Sequence, residues 1–403
     1  MSTGRPHPAP VLAVAGGVTG VEATWSGLHA LATSYDAAAE RLRAVAAADA
    51  AVLLDPALVA SAPLAPASFA RAEAAVLAVT GGPDGLALQS LRWEVDAGSV
   101  RASAALLREA DEAAAARTRA LARLLSGAAG LLGGLYSGTG TTTRARPDLS
   151  TPAGRRAPGS VGDLVGHLGE LSALSGPDDV DDQGTFAVQT LTGPDGEVRH
   201  LLHLPGTDDL TTLPWTQDDD VRDLGTNLRL LAGDTNGYAE GALAALAQAG
   251  VRPDEPVLAV GHSQGGMLAG QLVATAGLHG YAVTRAVTLG SPTATVEEYP
   301  DGSVVLSLEN HGDVVPTLDG APNPGSLEQV TVTVDAGEGG VDDPAGAVHG
   351  HHSFAAYSAG AAAVDASTDP AVEAHVAALA DAGFLPGPDA GVTVSTTIYQ
   401  VTR

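Results

Sequence analysis

The segment with the most chemical content is Gly261-His262-Ser263-Gln264-Gly265-Gly266, which follows directly on the apolar run Val257 to Val260. A G-x-S-x-G spacing between a buried strand and a helix marks a nucleophilic serine on a strained strand-to-helix turn, where crowding admits only small residues two before and two after it. The chain carries this pattern once. A serine hydroxyl is inert without a base, and the base needs a carboxylate to fix its tautomer and stabilise the imidazolium. On such a turn the partners follow in the order Ser, Asp, His. The next strand with carboxylates at its C-terminal end runs into Glu309-Asn310-His311-Gly312-Asp313-Val314-Val315-Pro316, so Asp313 is the expected orienting acid, with Glu309 and Asp319 as alternatives. The histidine comes from Val348-His349-Gly350-His351-His352-Ser353, a loop opening a helix, where His349, His351 and His352 compete. No spacing nearby completes a metal ligand set, and acyl transfer through a serine needs neither metal nor cofactor. His200 and His203, on an expected strand, read as structural.

The elements that must hold these groups alternate. Beyond residue 160, helices are expected at Val161 to Leu174, Asn236 to Gln248, Gly265 to Ala276, Ser353 to Val364 and Ala371 to Ala382. Strands are expected at Thr185 to Leu191, Val198 to Leu204, Val257 to Val260, Ala286 to Leu289, Val304 to Leu308, Gln329 to Asp335 and Val392 to Val401, the first two joined by a Gly193-Pro194-Asp195-Gly196 turn. This predicts an α/β fold with a largely parallel sheet and helices on both faces. Before it, alanine-rich amphipathic stretches predict helices over Val21 to Leu54, Ser68 to Val79 and Gly85 to Leu125, the last with an apolar stripe of Leu106, Leu107, Leu121, Leu124 and Leu125. The expected organisation is an all-α hairpin or bundle over 1–135, a Gly/Thr/Ser/Pro-rich linker over 136–160, and the α/β domain over 161–403.

Composition removes several classes of function. The absence of cysteine excludes a disulfide framework, a thiolate metal site and a cysteine nucleophile. All 20 basic residues are arginine and the net charge is −27, which excludes the basic footprint a nucleic-acid binder needs. The charge is uneven: residues 1–150 hold 12 Arg against 13 acids, and residues 151–403 hold 8 against 34, which sets the two regions apart. The run Leu121 to Leu135 is broken by Arg123 and is too short to span a bilayer. Val11 to Val18 is too modest for a secretory signal core, so the expectation is a protein without stable membrane insertion, cytoplasmic or exported by a non-classical route.

From about residue 160 the chain resembles an α/β-hydrolase of the class-three lipase type. The resemblance lies in Pro205-Gly206-Thr207 after a strand, the elbow Gly261 to Gly265, the segment Asn310 to Pro316 and His352 ahead of Tyr357. Leu204-Pro205 stands where that family often has an aromatic and an arginine. The resemblance implies a serine esterase with Ser263, Asp313 and His352 in its triad, His351 being the alternative base. It implies an oxyanion hole from the backbone N–H groups of Thr207 and Gln264, and a lid over Asp208 to Leu224. There Leu210, Leu213 and Trp215 would face an acyl chain and the aspartates would face water. The implied substrate is a lipid or other apolar acyl ester, with amide, thioester or acyl-transfer chemistry as alternatives on the same groups. Trp25-Ser26-Gly27 among alanine-rich helices resembles the WXG helical-hairpin proteins of actinobacterial type VII secretion. That implies a helical partner or secretion machinery docking on residues 1–135, and with it the alternative of a secreted interaction protein whose hydrolase domain is vestigial.

Overall fold

A computed structural model describes residues 7–17, 21–176, 180–296, 298–323, 325–337, 350–387 and 390–403. The chain forms two units, residues 21–116 and residues 1–20 together with 117–403.

The helical unit is built from α1 (Val21–Ala51), α2 (Pro56–Ser61), α3 (Pro66–Gly81) and the first part of α4 (Leu86–Gly133). A 3-10 turn, Val52–Leu54, follows α1, and Asp55 ends that turn and starts α2: its carboxylate accepts from the N–H groups of Ala57 and Leu58, and Pro56 occupies the first helical position. The seam between α1 and α4 is made of small residues. Ala32, Ala39 and Ala46 recur every seven residues and are buried, as are Ser90 and Ala97 on α4, and Ser90 Oγ donates to Ala39 O at 3.0 Å. A seven-residue repeat keeps one stripe of each helix toward the other, and side chains this small let the backbones approach closely. Tyr35 meets Trp93 edge-on at 5.0 Å, and Arg43–Glu94 and Arg101–Asp36 ion pairs flank the seam. The expected leucine stripe does not do this work: Leu106 and Leu124 are 67% and 72% exposed. Trp25 lies on α1, and its side chain is outside the described residues.

The other unit is a nine-stranded sheet of β1 (Val11–Ala15), β2 (Thr142–Ala145), β3 (Thr185–Thr192), β4 (Val198–Leu204), β5 (Pro256–His262), β6 (Ala282–Leu289), β7 (Val304–Asn310), β8 (Gln329–Val334) and β9 (Thr393–Thr402). Their order is β1-β8-β7-β6-β5-β4-β3-β9-β2. The run from β4 to β8 is parallel, and the outer pairings are antiparallel. The sheet is therefore more mixed than the sequence suggests. A connection of five residues, 193–197, cannot return a strand parallel, so β3 and β4 form a hairpin, and both edges take additional strands from the N-terminal part of the chain. One is β2, inside the stretch 136–160 that reads compositionally as a linker. Its pairing with β9 is reinforced by Arg144, whose Nη2 donates to Gln400 Oε1 at 2.6 Å.

Alternate side chains of the central strands fill two separate cores. Leu258 and Val260 face α5 (Val161–Ser172), α10 (Phe354–Asp365) and α11 (Pro370–Asp381). Val257 and Ala259 face α6 (Leu224–Ala232), α7 (Gly237–Gln248) and α8 (Gln264–Ala274), beyond which lies the short α9 (Ala276–His279). The chain thus adopts an α/β fold with helices on both faces. Among the described residues, no helix is long and apolar enough to cross a membrane.

The close seam yields a prediction. Ala39→Leu overfills a fully buried position and should destabilise the helical unit by about 1–3 kcal/mol. Hydrogen exchange should then quicken in α1 and α4 while protection in the central strands stays unchanged.

Candidate active site

Ser263 joins β5 to α8 with φ 52° and ψ −121°, and it is the one non-glycine residue at positive φ among the described residues. Its N–H donates to Leu289 O at 2.8 Å, and its carbonyl accepts from Gly266 and Met267. The flanking glycines are required by contact. A Cβ on Gly261 would lie 2.2 Å from Gly265 O, and one on Gly265 would lie 1.9 Å from Leu204 O. A non-glycine residue in this region of φ is strained, and it persists only where the surroundings enforce it.

Asp313 and His352, 39 residues apart, meet at the C-terminal end of the sheet: His352 Nδ1 lies 2.7 Å from Asp313 Oδ2. Tyr357, one turn into α10, donates its hydroxyl to the same oxygen at 2.5 Å, and Val315 N–H donates to Oδ1 at 3.0 Å. Burial pushes the Asp313 carboxyl up, but the hydrogen bond and charge of His352, then Tyr357 and Val315, outweigh it and hold the group below its ordinary value. Burial, then the Asp313 charge and hydrogen bond, raise Tyr357 far above the ordinary phenol, so it remains a donor. Because a carboxylate only accepts, Nδ1 of neutral His352 carries the proton and Nε2 carries the lone pair. Nε2 is buried and has no hydrogen-bond partner among the described residues.

Neighbouring residues bring this pair to the elbow. The rings of His262 and His352 are 4.5 Å apart, and His262 Nε2 donates to His352 O at 3.1 Å. Gly290 follows Leu289, the acceptor for Ser263, and a Cβ there would come within 2.9 Å of His352 Cε1. The other candidates are occupied elsewhere. His351 is held by Asn310, whose Nδ2 donates to His351 O at 2.9 Å, and His349 lies outside the described residues. Asp319 accepts from Ala294 N–H at 2.8 Å in a loop, and Glu309 sits within β7. His200 meets Glu255 at 3.1 Å, while the buried His203 packs against His167 with ring centroids 4.2 Å apart.

Pro205-Gly206-Thr207 leaves β4 beside the elbow, where a Cβ on Gly206 would be 3.2 Å from Ser263 Cβ. Gln264 begins α8, so its N–H has no acceptor within the helix, and its side chain donates to Asp223 O at 2.8 Å. Thr207 Oγ1 accepts from Asn227 at 2.9 Å. The segment that follows matches expectation only in part: Asp218 and Asp219 are exposed. Asp208, Asp220 and Asp223 do not face water; they are buried around Arg222, which is 1% exposed, and Arg403. Two internal guanidinium groups make that burial possible. Leu210, Leu213 and Trp215 are exposed, Trp215 at 79%. Arg222 belongs to no motif, and its one mark in the sequence is that it is the lone cation between Asp208 and Leu224.

The arrangement can therefore offer a hydroxyl on a strained turn, an imidazole with an accepting Nε2, an ionised carboxylate behind it, and backbone donors from two elements. No family model and no curated protein matches the chain. Among solved structures, part of the chain is similar to the crystal structure of extracellular lipase LipA from Serratia marcescens, with 21% identity, a TM-score of 0.21, and coverage of 32% of this chain and 23% of that chain. The chain thus spans less than a quarter of that structure.

Glu309 supplies a test of the site's electrostatics. Burial raises its carboxyl to about 7, and Oε1 has no partner among the described residues. The folded state therefore binds the proton more tightly than the unfolded chain. The stabilisation this gives is complete below the ordinary glutamate value and is lost as pH rises through about 7. Melting temperatures across this range should show Glu309→Gln gaining on the parent protein as pH rises, with a plateau above pH ~8. A constant difference would remove the buried charge from the account.

Proposed function

We propose that the chain is a serine hydrolase that cleaves carboxylic esters with apolar acyl groups through an acyl-enzyme. The observation that carries this reading is the backbone of Ser263, a non-glycine residue held at positive φ between β5 and α8. Strain of this kind is kept where it exposes a reactive group. In the proposed reaction Ser263 Oγ attacks the ester carbonyl carbon, and its proton passes to His352 Nε2. Asp313 holds the imidazole by Nδ1 and stabilises its cation. The carbonyl oxygen, now an oxyanion, accepts from the N–H groups of Thr207 and Gln264. The C–O bond then breaks, and His352 returns its proton to the leaving alcohol. Water repeats the sequence on the acyl-enzyme and releases the carboxylic acid. The exposed Leu210, Leu213 and Trp215 follow the Thr207 loop directly, which favours an apolar acyl chain over a charged one.

Fluorophosphonate labelling and hydrolysis of a graded series of p-nitrophenyl esters test the proposal together. Ser263→Ala should fold, lose all labelling, and retain only the residual turnover that oxyanion binding gives. Full turnover in that variant would retire the nucleophile. His352→Ala should lose on the order of 10³-fold in kcat, whereas His351→Ala should stay within a few-fold. The reverse ranking would move the base by one residue.

A further inference from the structure

We infer that Arg222 is a positioning residue that sets the orientation of the Thr207 oxyanion donor; the inference rests on the ester-hydrolase reading above. Its Nη1 donates to Gly206 O at 2.9 Å, while Nη2 serves Asp208 at 2.7 Å and Ser175 Oγ at 2.5 Å. The ion pair with Asp208 needs only Nη2. The second arm of the guanidinium is used on a peptide carbonyl, a fork geometry that lysine lacks.

That carbonyl belongs to the peptide that carries the Thr207 N–H. In a trans peptide C=O and N–H point to opposite sides, so Arg222, by holding the oxygen, turns the N–H away from itself. The remainder of the loop is braced in the same way. Tyr238 OH donates to Pro205 O at 3.1 Å, Asn227 holds the Thr207 hydroxyl, and Asp208 N–H donates to Arg222 O at 2.8 Å. The second donor is tied to the same segment, because Gln264 Nε2 donates to the carbonyl of Asp223, the next residue. Residues 222–227 therefore fix the loop after β4 and the start of α8 against one another. Donors contribute to catalysis only if they are aligned before charge develops on the substrate, and this fixes both in advance.

The test is Arg222→Lys, which keeps the positive charge beside Asp208 and removes the bond to Gly206 O. Active-site titration with a fluorophosphonate gives the number of competent sites, and p-nitrophenyl butyrate gives kcat and KM per site. The expected result is a fall in kcat per titrated site on the order of 10- to 100-fold, less than loss of a whole donor, with KM within about threefold. Ser175→Ala, which removes an Nη2 partner and the 2.9 Å bond from Ser175 Oγ to Asp208 Oδ1 but leaves the Nη1 bond to Gly206 O, should keep kcat within about twofold. Should Arg222→Lys fail to fold, Tyr238→Phe, which frees the adjacent carbonyl, should show the same split at several-fold in kcat. Unchanged kcat per titrated site in a folded Arg222→Lys or Tyr238→Phe protein, or a loss confined to the number of titratable sites, overturns the inference. A parent protein that is neither labelled nor active overturns the ester-hydrolase reading and this inference with it.

Discussion

The start of α8 presses against the ends of β4 and β5 so closely that neither Gly261 nor Gly265 could carry a side chain, and the geometry of the site depends on that contact. A methyl group on Gly265 would overlap Leu204 O, so any larger residue would lift the helix from the sheet. The N-terminus of α8 and the loop after β4 would then separate. Because the helix start supplies free N–H groups at the positive end of its dipole, the contact places that end beside Ser263 and Gly206. The bond from Ser263 N–H to Leu289 O carries the constraint to β6, and Gly290 carries it to the His352 ring. Three parallel strands thus end in register around one corner, and this is where open α/β sheets place their chemistry.

Behind that corner the fold contains charge. An acidic chain exposes most of its carboxylates, but Asp208, Asp220 and Asp223 are buried beside Arg222 and Arg403. Burial and the neighbouring Asp208 raise the Asp220 carboxyl to about 7 against the pull of Arg222. Such clusters contribute little net stability over an apolar core, but removing one partner leaves the others uncompensated. The cluster therefore tolerates few alternative arrangements. Arg222 and Asp223 touch the loop after β4 and the Gln264 side chain, so that intolerance is passed to the groups that must not move.

What could be read from the sequence follows the range of the interactions. Ser263 is legible because its requirements are local: a strand before it, a helix after it, and small residues at fixed offsets. The central strands are legible because burial on both faces makes them continuously apolar. Asp313 follows from its place after β7. The choice among the histidines does not follow from the residues alone, since three stand within four positions and only the packing of α10 selects the one that reaches Asp313. β1 and β2 are illegible for a related reason. Edge strands need no two-sided apolar pattern, and Thr142–Ala145 takes its structure from pairing with β9 at the far end of the chain. The leucines of α4 mislead because the helical seam uses alanine and serine at seven-residue spacing, a stripe that hydropathy underweights. The acidic run misleads because its lone arginine lies inside.

The imidazoles of His262 and His352 lie with ring centroids 4.5 Å apart, so a charge on one disfavours a charge on the other. His262 is buried and lowered to about 3, first by burial and then by the charge of His352, and its Nε2–H is already committed to His352 O. His352 has an ionised carboxylate on Nδ1, and that carboxylate is fixed by Tyr357 and Val315 so that it cannot turn away. His262 therefore stays neutral, bracing the His352 backbone through that bond while adding no charge of its own beside the Asp313 carboxylate.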